Sequence, residues 1–372
     1  MTTPSSRLRG RETTSMMIRS KQLAGTLTAC AAAATIGVAA PSPARGAPQS
    51  NNASCIFHLA VNPIACARIV GSRPRPPSRS WLAASTGKTL LYAAEPFAGI
   101  ISVSTVSANK LTPSGELSFS GAIPFELAAD SKNLYVGVLN PSGPSSVEVF
   151  PRGATKPSKI YTDGITGPLD VAIDAHGTLY VANFVSSSSC NVLEYAKGSM
   201  KPTATITDVP GCPNGVAVDS ASNLYVTYIY YPTGKPWQTD VLKYARGSTS
   251  GVRLNLKAPG RNDFYGLAVD AKGDVLVANE QEDGMLYQIL IFPAGSHAPT
   301  NALQYGDGWF PLFFALDEDR LFAPAYLEQG TASLMTLGDV PAEFDYPSGR
   351  ERIVESPKLL APGFVFSFAV SP

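Results

Sequence analysis

Three aspartates recur at near-constant spacing, Asp174, Asp219 and Asp270, each ending a short apolar run (VAID, VAVD, LAVD). Gathered in one place, such carboxylates could serve acid–base work or hold a hard cation. Each is instead followed by turn residues (AHG, SASN, AKG), and an aspartate entering a turn bonds its own backbone. The three are read as structural. The chain has three histidines, His58, His176 and His297; all fall in loop-like sequence. The serine run Ser186–Ser189 has no histidine placed to act as its base, so a nucleophilic triad finds no support and the run reads as loop. The cysteines Cys55, Cys66, Cys190 and Cys212 are too scattered for zinc.

The elements that would position a site come from a repeat. The chain reads LDVAIDAHGTLYVAN from Leu169, NGVAVDSASNLYVT from Asn214 and YGLAVDAKGDVLVAN from Tyr265. The first apolar run recurs near Leu127, Val171, Val216, Leu267, Phe314 and Phe368, at intervals of 44, 45, 51, 47 and 54 residues. That is in or just beyond the range for propeller blades. Each unit parses as a buried strand, a tight turn with Gly177, Asn223 or Gly273 near its end, and a second strand (LYVAN). A third strand (VLEYA, VLKYA or ILIFP) and a weaker outer strand such as Thr203–Thr207 follow. Strands covered on both faces are apolar throughout, and one such unit cannot bury both faces alone. The first unit begins with its second strand, Thr89–Glu95, and Val365–Pro372 supplies an orphan first strand. The expected fold is all-β: a six-bladed β-propeller whose N- and C-terminal strands close one blade.

These repeats resemble the NHL-repeat and SMP-30/gluconolactonase-like six-bladed propellers. They are more similar to uncharacterised secreted bacterial proteins with DAKG-LYVAN and VxEYAxG repeats. The resemblance covers about residues 89–372 and implies the fold; propellers host many activities. It also implies a divalent metal such as calcium at the channel mouth in a lactonase-like hydrolase. Asn214 in Pro213–Gly215 would be a ligand, with Glu95 and Asp170 near comparable mouths. The positions matching Asn214 in the other units are Phe125, Leu169, Tyr265, Leu312 and Phe366. Apolar side chains offer a hard cation nothing, and Asn214 also reads as a turn residue beside Pro213.

On the face shared by second-to-third-strand loops and blade-to-blade connections, aromatic residues gather. Tyr231 and Trp237 lie in YIYYPTGKPWQTD, Tyr265 in NDFYG, and Trp309 and Phe310 in YGDGWFP. Glu280, Glu282, Asp283 and Asp307 map to the same face. Rings with scattered polar groups suit a sugar, peptide or protein surface; they equally suit a roof over the core.

Charge narrows the partners. The formal net charge is zero, but residues 1–80 carry ten Lys/Arg against Glu12, leaving 19 basic and 28 acidic residues beyond. Such a body repels phosphate backbones, so nucleic acid is not expected as a partner. The 32 glycines and 31 prolines suit an all-β chain with many turns. Residues 1–47 read as a signal peptide, starting at Met1, Met16 or Met17, with cleavage after Ala44 or Ala47. LTAC at Leu27–Cys30 offers the competing reading of a lipid anchor on Cys30. Residues 48–88 read as a tether, and no segment approaches the roughly 20 apolar residues of a membrane span.

Export places the remaining cysteines in an oxidising compartment. Three pairings are open to sequence alone; neighbouring loops on the propeller face favour Cys190 with Cys212, and hence Cys55 with Cys66. The expectation is an exported, non-catalytic propeller, secreted, periplasmic or on the cell surface, binding an unidentified protein, peptide or glycan without a cofactor. The alternatives are the metal-dependent lactonase-like hydrolase and a purely structural envelope role.

Overall fold

The computed structural model describes residues 88–371, apart from 97, 108–109, 187–188, 231–237, 261, 282–285, 304–311, 318–319, 326–339, 347–349 and 353–364. The expected signal peptide, the tether, Cys30, Cys55 and Cys66 lie outside the described residues. Within them every regular element is a strand, and no helix is long and apolar enough to cross a membrane.

The strands form small four-stranded antiparallel sheets in a propeller arrangement. Five sheets open with an inner strand of five to eight residues. The second runs Ile123–Ala129, Asn133–Leu139, Ser146–Pro151 and Lys159–Tyr161; the third Pro168–Ile173, Leu179–Ser186, Ser189–Tyr195 and Ala204–Ile206. The fourth runs Cys212–Val218, Leu224–Tyr230, Gln238–Tyr244 and Val252–Arg253; the fifth Asn262–Val269, Val275–Gln281, Leu286–Phe292 and Asn301–Leu303. The first sheet has the order Ser367–Ser371, Leu90–Glu95, Ile100–Ser107, Lys110–Ser118. The C-terminal strand therefore supplies its inner edge, with Leu90 opposite Ser371 and Ala94 opposite Ser367.

The expectation of six equal repeats needs correction. A further sheet, Ala315–Asp317, Arg320–Ala325, Val340–Asp345 and Arg350–Arg352, opens with an inner strand of only three residues. Five blades are thus full and this one is reduced. Its first hairpin pairs only three residues on each strand, Ala315–Asp317 with Arg320–Phe322.

The apolar character of the inner strands follows from their two covered faces. Leu90, Tyr92 and Ala94 pack toward the second sheet with Leu127, Leu134 and Val136. Leu91 and Ala93, pointing the other way, pack with Phe322, Val365 and Phe368. The first hairpins are set by the recurring aspartates. Asp174 Oδ1 accepts the N–H groups of His176 and Thr178 at 2.9 and 2.7 Å. Asp219 does the same for Ala221 and Asn223, both at 2.9 Å, and Asp270 for Lys272 and Asp274, both at 2.8 Å. In the second sheet Asp130 Oδ1 accepts the N–H groups of Lys132 and Asn133 at 2.6 and 2.7 Å, in a turn one residue shorter. Gly177 and Gly273 take the left-handed conformation, φ 85° and 86°. In the fourth sheet that role belongs to Ser222 (φ 61°) and not to Asn223, whose side chain donates to Asp219 at 2.8 Å.

Candidate functional site

The inner strand Asn262–Val269 carries a bulge between Phe264 and Leu267. A bulge re-aims side chains, and here it sets Tyr265 against the central and fifth-sheet cores. Tyr265 thus comes from a bulged strand, where the sequence suggested a loop. A Cβ on the next residue, Gly266, would stand 2.8 Å from Leu312 O and from the Phe313 ring. The absence of a side chain lets the adjacent backbone close in, and Gly266 N–H bonds Leu312 O at 2.9 Å.

Tyr265 Oη donates to Glu280 Oε2 at 3.0 Å, and Tyr287 Oη donates to Glu280 Oε1 at 2.9 Å. Glu280 sits opposite Asp263 on one strand and Tyr287 on the other. Burial, then the Glu280 carboxylate, pushes the Tyr287 phenol far above its ordinary range. It stays a donor. Both oxygens of Glu280 accept from phenols, an arrangement that fixes two rings and does not free a base. Tyr287 was not singled out from sequence, although its place opposite Glu280 in a hairpin was the available signal.

The same face extends over two more blades at the ends of their second strands. Tyr230, closing Leu224–Tyr230, is 39% exposed, as is Val185 in Leu179–Ser186. Between these blades the predicted disulfide is present: Cys190 and Cys212 are bonded with Cα atoms 5.1 Å apart, and both pack against the central core. Of the residues expected here, Tyr265 and Glu280 meet. Tyr231, Trp237, Trp309 and Phe310 lie outside the described residues.

At the centre of the propeller the positions matching Asn214 are packed with hydrophobic side chains. Phe125, Leu169, Leu312, Phe313 and Phe366 share one cluster. Phe366 stacks on Phe125 at 4.4 Å and tilts against Phe313 at 5.1 Å between ring centroids. Asn214 is buried, and its Nδ2 donates to Phe264 O in the next sheet at 3.1 Å. Asp170 is likewise used between blades, its two oxygens accepting Val171 N–H and Val216 N–H at 2.7 Å each. Burial pushes its pKa to about 7. Glu95, also buried, accepts a hydrogen bond from Ser102 Oγ; burial raises its pKa to about 7, with the Glu116 charge adding to it. Glu126 is raised well above the usual carboxylate range, by burial first and by Asp170 second. Among the described residues no three acidic, histidine or cysteine side chains converge as a metal cage.

The remaining candidates are structural. His176 lies in the turn organised by Asp174, and His297 Nδ1 sits 2.7 Å from Leu254 O in an exposed turn.

No family model matches the sequence, and no curated protein matches it. Among solved structures the chain is similar to Kuenenia stuttgartiensis hydrazine synthase, with a TM-score of 0.46 and 16% identity. The similarity covers 68% of this chain and 75% of that one.

Proposed function

We propose that the chain is an exported, non-catalytic six-bladed propeller that binds a ligand or partner protein through its loop face. The observation that carries this reading is the Tyr265–Glu280–Tyr287 cluster. It gives the face a fixed arrangement of rings around a carboxylate, with exposed Tyr230 and Val185 on neighbouring blades. Rings held in place lose little freedom on binding, which makes them effective contact anchors. The interblade uses of Asn214 and Asp170 argue against a lactonase-like metal site, since each already serves the fold. Export is supported by the signal-like N-terminus and by the Cys190–Cys212 disulfide.

The test is a screen of the full mature chain on glycan and peptide arrays and against secreted proteins. Tyr230→Ala and Trp237→Ala should lower binding at least about tenfold, the scale of an interface anchor, and leave the melting temperature nearly unchanged. Calcium-dependent turnover of a lactone, or binding indifferent to both substitutions, would overturn the reading.

A further inference from the structure

A solvent-open cleft of about 390 Å³ lies between the loop 140–145 of the second sheet and Ile165–Thr166, which lead into the third. It is lined by Asn140, Pro141, Ser142, Gly143, Pro144 and Ser145 on one side and by those two residues on the other. This volume is near the lower end of the range for small-molecule sites, roughly 300–1,000 Å³.

Both walls are pinned from beneath. Asn183, fully buried, accepts the N–H groups of Thr166 and Gly167 on Oδ1 at 2.8 and 3.2 Å. Its Nδ2 donates to Gly164 O at 3.1 Å and to Asn191 Oδ1 at 3.0 Å. The opposite wall is a turn in which Asn140 Oδ1 accepts Ser142 N–H at 3.0 Å and Ser145 Oγ accepts Asn140 N–H at 3.4 Å. A site shaped before the ligand arrives keeps more of its contact energy as affinity.

The lining contains no ionisable side chain. A charged ligand would lose hydration there and gain no countercharge. The lining residues bring alcohols, an amide and backbone groups together with Pro141 and Pro144, while Ile165 is also packed into the core between the second and third sheets. No described hydrogen bond uses Asn140 Nδ2, Ser142 Oγ or Thr166 Oγ1 as a donor. Donors and acceptors next to small apolar surfaces match a pyranose, which alternates hydroxyls with C–H faces.

We propose that this cleft is a binding site for a neutral saccharide of one or two residues. The proposal rests on the loop-face reading and deepens it by naming a ligand class, yet it uses no residue of the Tyr265–Glu280–Tyr287 cluster. Thr166→Val keeps the backbone N–H that Asn183 holds and removes only the hydroxyl. Gly143→Ala places a Cβ 3.0 Å from Asn140 Nδ2 and displaces that donor.

The experiment is an amide NMR titration of the full mature chain with glucose, N-acetylglucosamine, cellobiose and chitobiose, with glucuronate and glucose 6-phosphate as charged controls. The expected result is saturable shifts at Ser142, Gly143, Thr166 and Gly167 with at least one neutral sugar, and none at Tyr265 or Glu280. Thr166→Val and Gly143→Ala should each weaken that sugar about fivefold to tenfold, the effect of one lost hydrogen bond, with unchanged melting. The absence of saturable shifts would overturn the proposal, as would equal binding of a charged control or full affinity in both variants. Sugar-dependent shifts confined to Tyr265 and Glu280 would overturn it too, while leaving the loop-face reading standing.

Discussion

At the scale of single residues, two kinds of cost are written into this fold. Ser222 holds a left-handed backbone, is buried, and its hydroxyl has no hydrogen-bond partner among the described residues. Glycine removes the steric penalty and the unsatisfied oxygen together. Ser222→Gly should therefore stabilise the protein by about 1 kcal/mol in chemical denaturation; a destabilised variant would show that the hydroxyl is used. The second cost is the burial of carboxylates. Glu95 and Asp170 have folded pKa values of about 7, raised from 4.5 and 3.8, and Glu126 is also raised. The folded state therefore binds their protons more tightly than the unfolded chain. Their contribution is greatest below the unfolded values and is lost as pH rises through about 7. Asp219, whose pKa is lowered, acts with the opposite sign only in more acidic solution. Melting should accordingly occur at a higher temperature near pH 5 than near pH 8. Glu95→Gln should shrink the difference, because its amide needs no ionisation. Equal melting temperatures at both pH values would refute this account.

At the scale of elements, the repeat was legible because its turn chemistry is local. Asp174, Asp219 and Asp270 announce the first hairpins by sequence alone, and Asp130 in AADSKNLYV belongs with them. What could not be read was anything set by contact between blades. The bulge that turns Tyr265, the capture of Val216 N–H by Asp170 and the pairing of Glu280 with Tyr287 all depend on which backbone arrives opposite. The apolar run ending at Leu316 does not reveal that its strand forms only three residue pairs, Ala315–Asp317 with Arg320–Phe322. The Cys190–Cys212 bond was foreseeable once two loops were assigned to neighbouring blades. It joins the third and fourth sheets across a sequence separation of 22 residues. Closing a loop of that size restricts the unfolded chain by roughly 3 kcal/mol. The double variant Cys190→Ser, Cys212→Ser should lose about that much stability in urea, and reductant should destabilise it less than it does the parent. A variant as stable as the oxidised parent would show that the bond adds nothing to the blade contact.

At the scale of the whole molecule, the two ends of the described chain meet in one sheet. Ser367–Ser371 pairs with Leu90–Glu95 along five residues, and Phe366, just before it, fills the centre between Phe125 and Phe313. Arg152 of the second sheet donates to Ser371 Oγ and to Lys88 O, so one guanidinium holds both ends. Ser371 Oγ in turn donates to Asp130 O at 2.7 Å. Removing residues 365–372 would expose the inner edge of Leu90–Glu95, and an unpaired apolar strand edge is a template for association. It would also empty the central stack. We expect the truncated chain to aggregate or to unfold without cooperativity, as read by size-exclusion chromatography and a thermal melt. Two milder variants separate the contributions. Phe366→Ala leaves the strand and opens a cavity, and should cost about 3–5 kcal/mol. Arg152→Ala leaves the stack and removes charge-assisted bonds to both ends, and should cost about 1.5–3 kcal/mol. If the ends are joined as a unit, the double variant should be non-additive, because the strand that carries Phe366 is the one Arg152 secures. A truncated chain that stays monomeric with an unchanged melt would mean that the remaining sheets hold together without their closing strand.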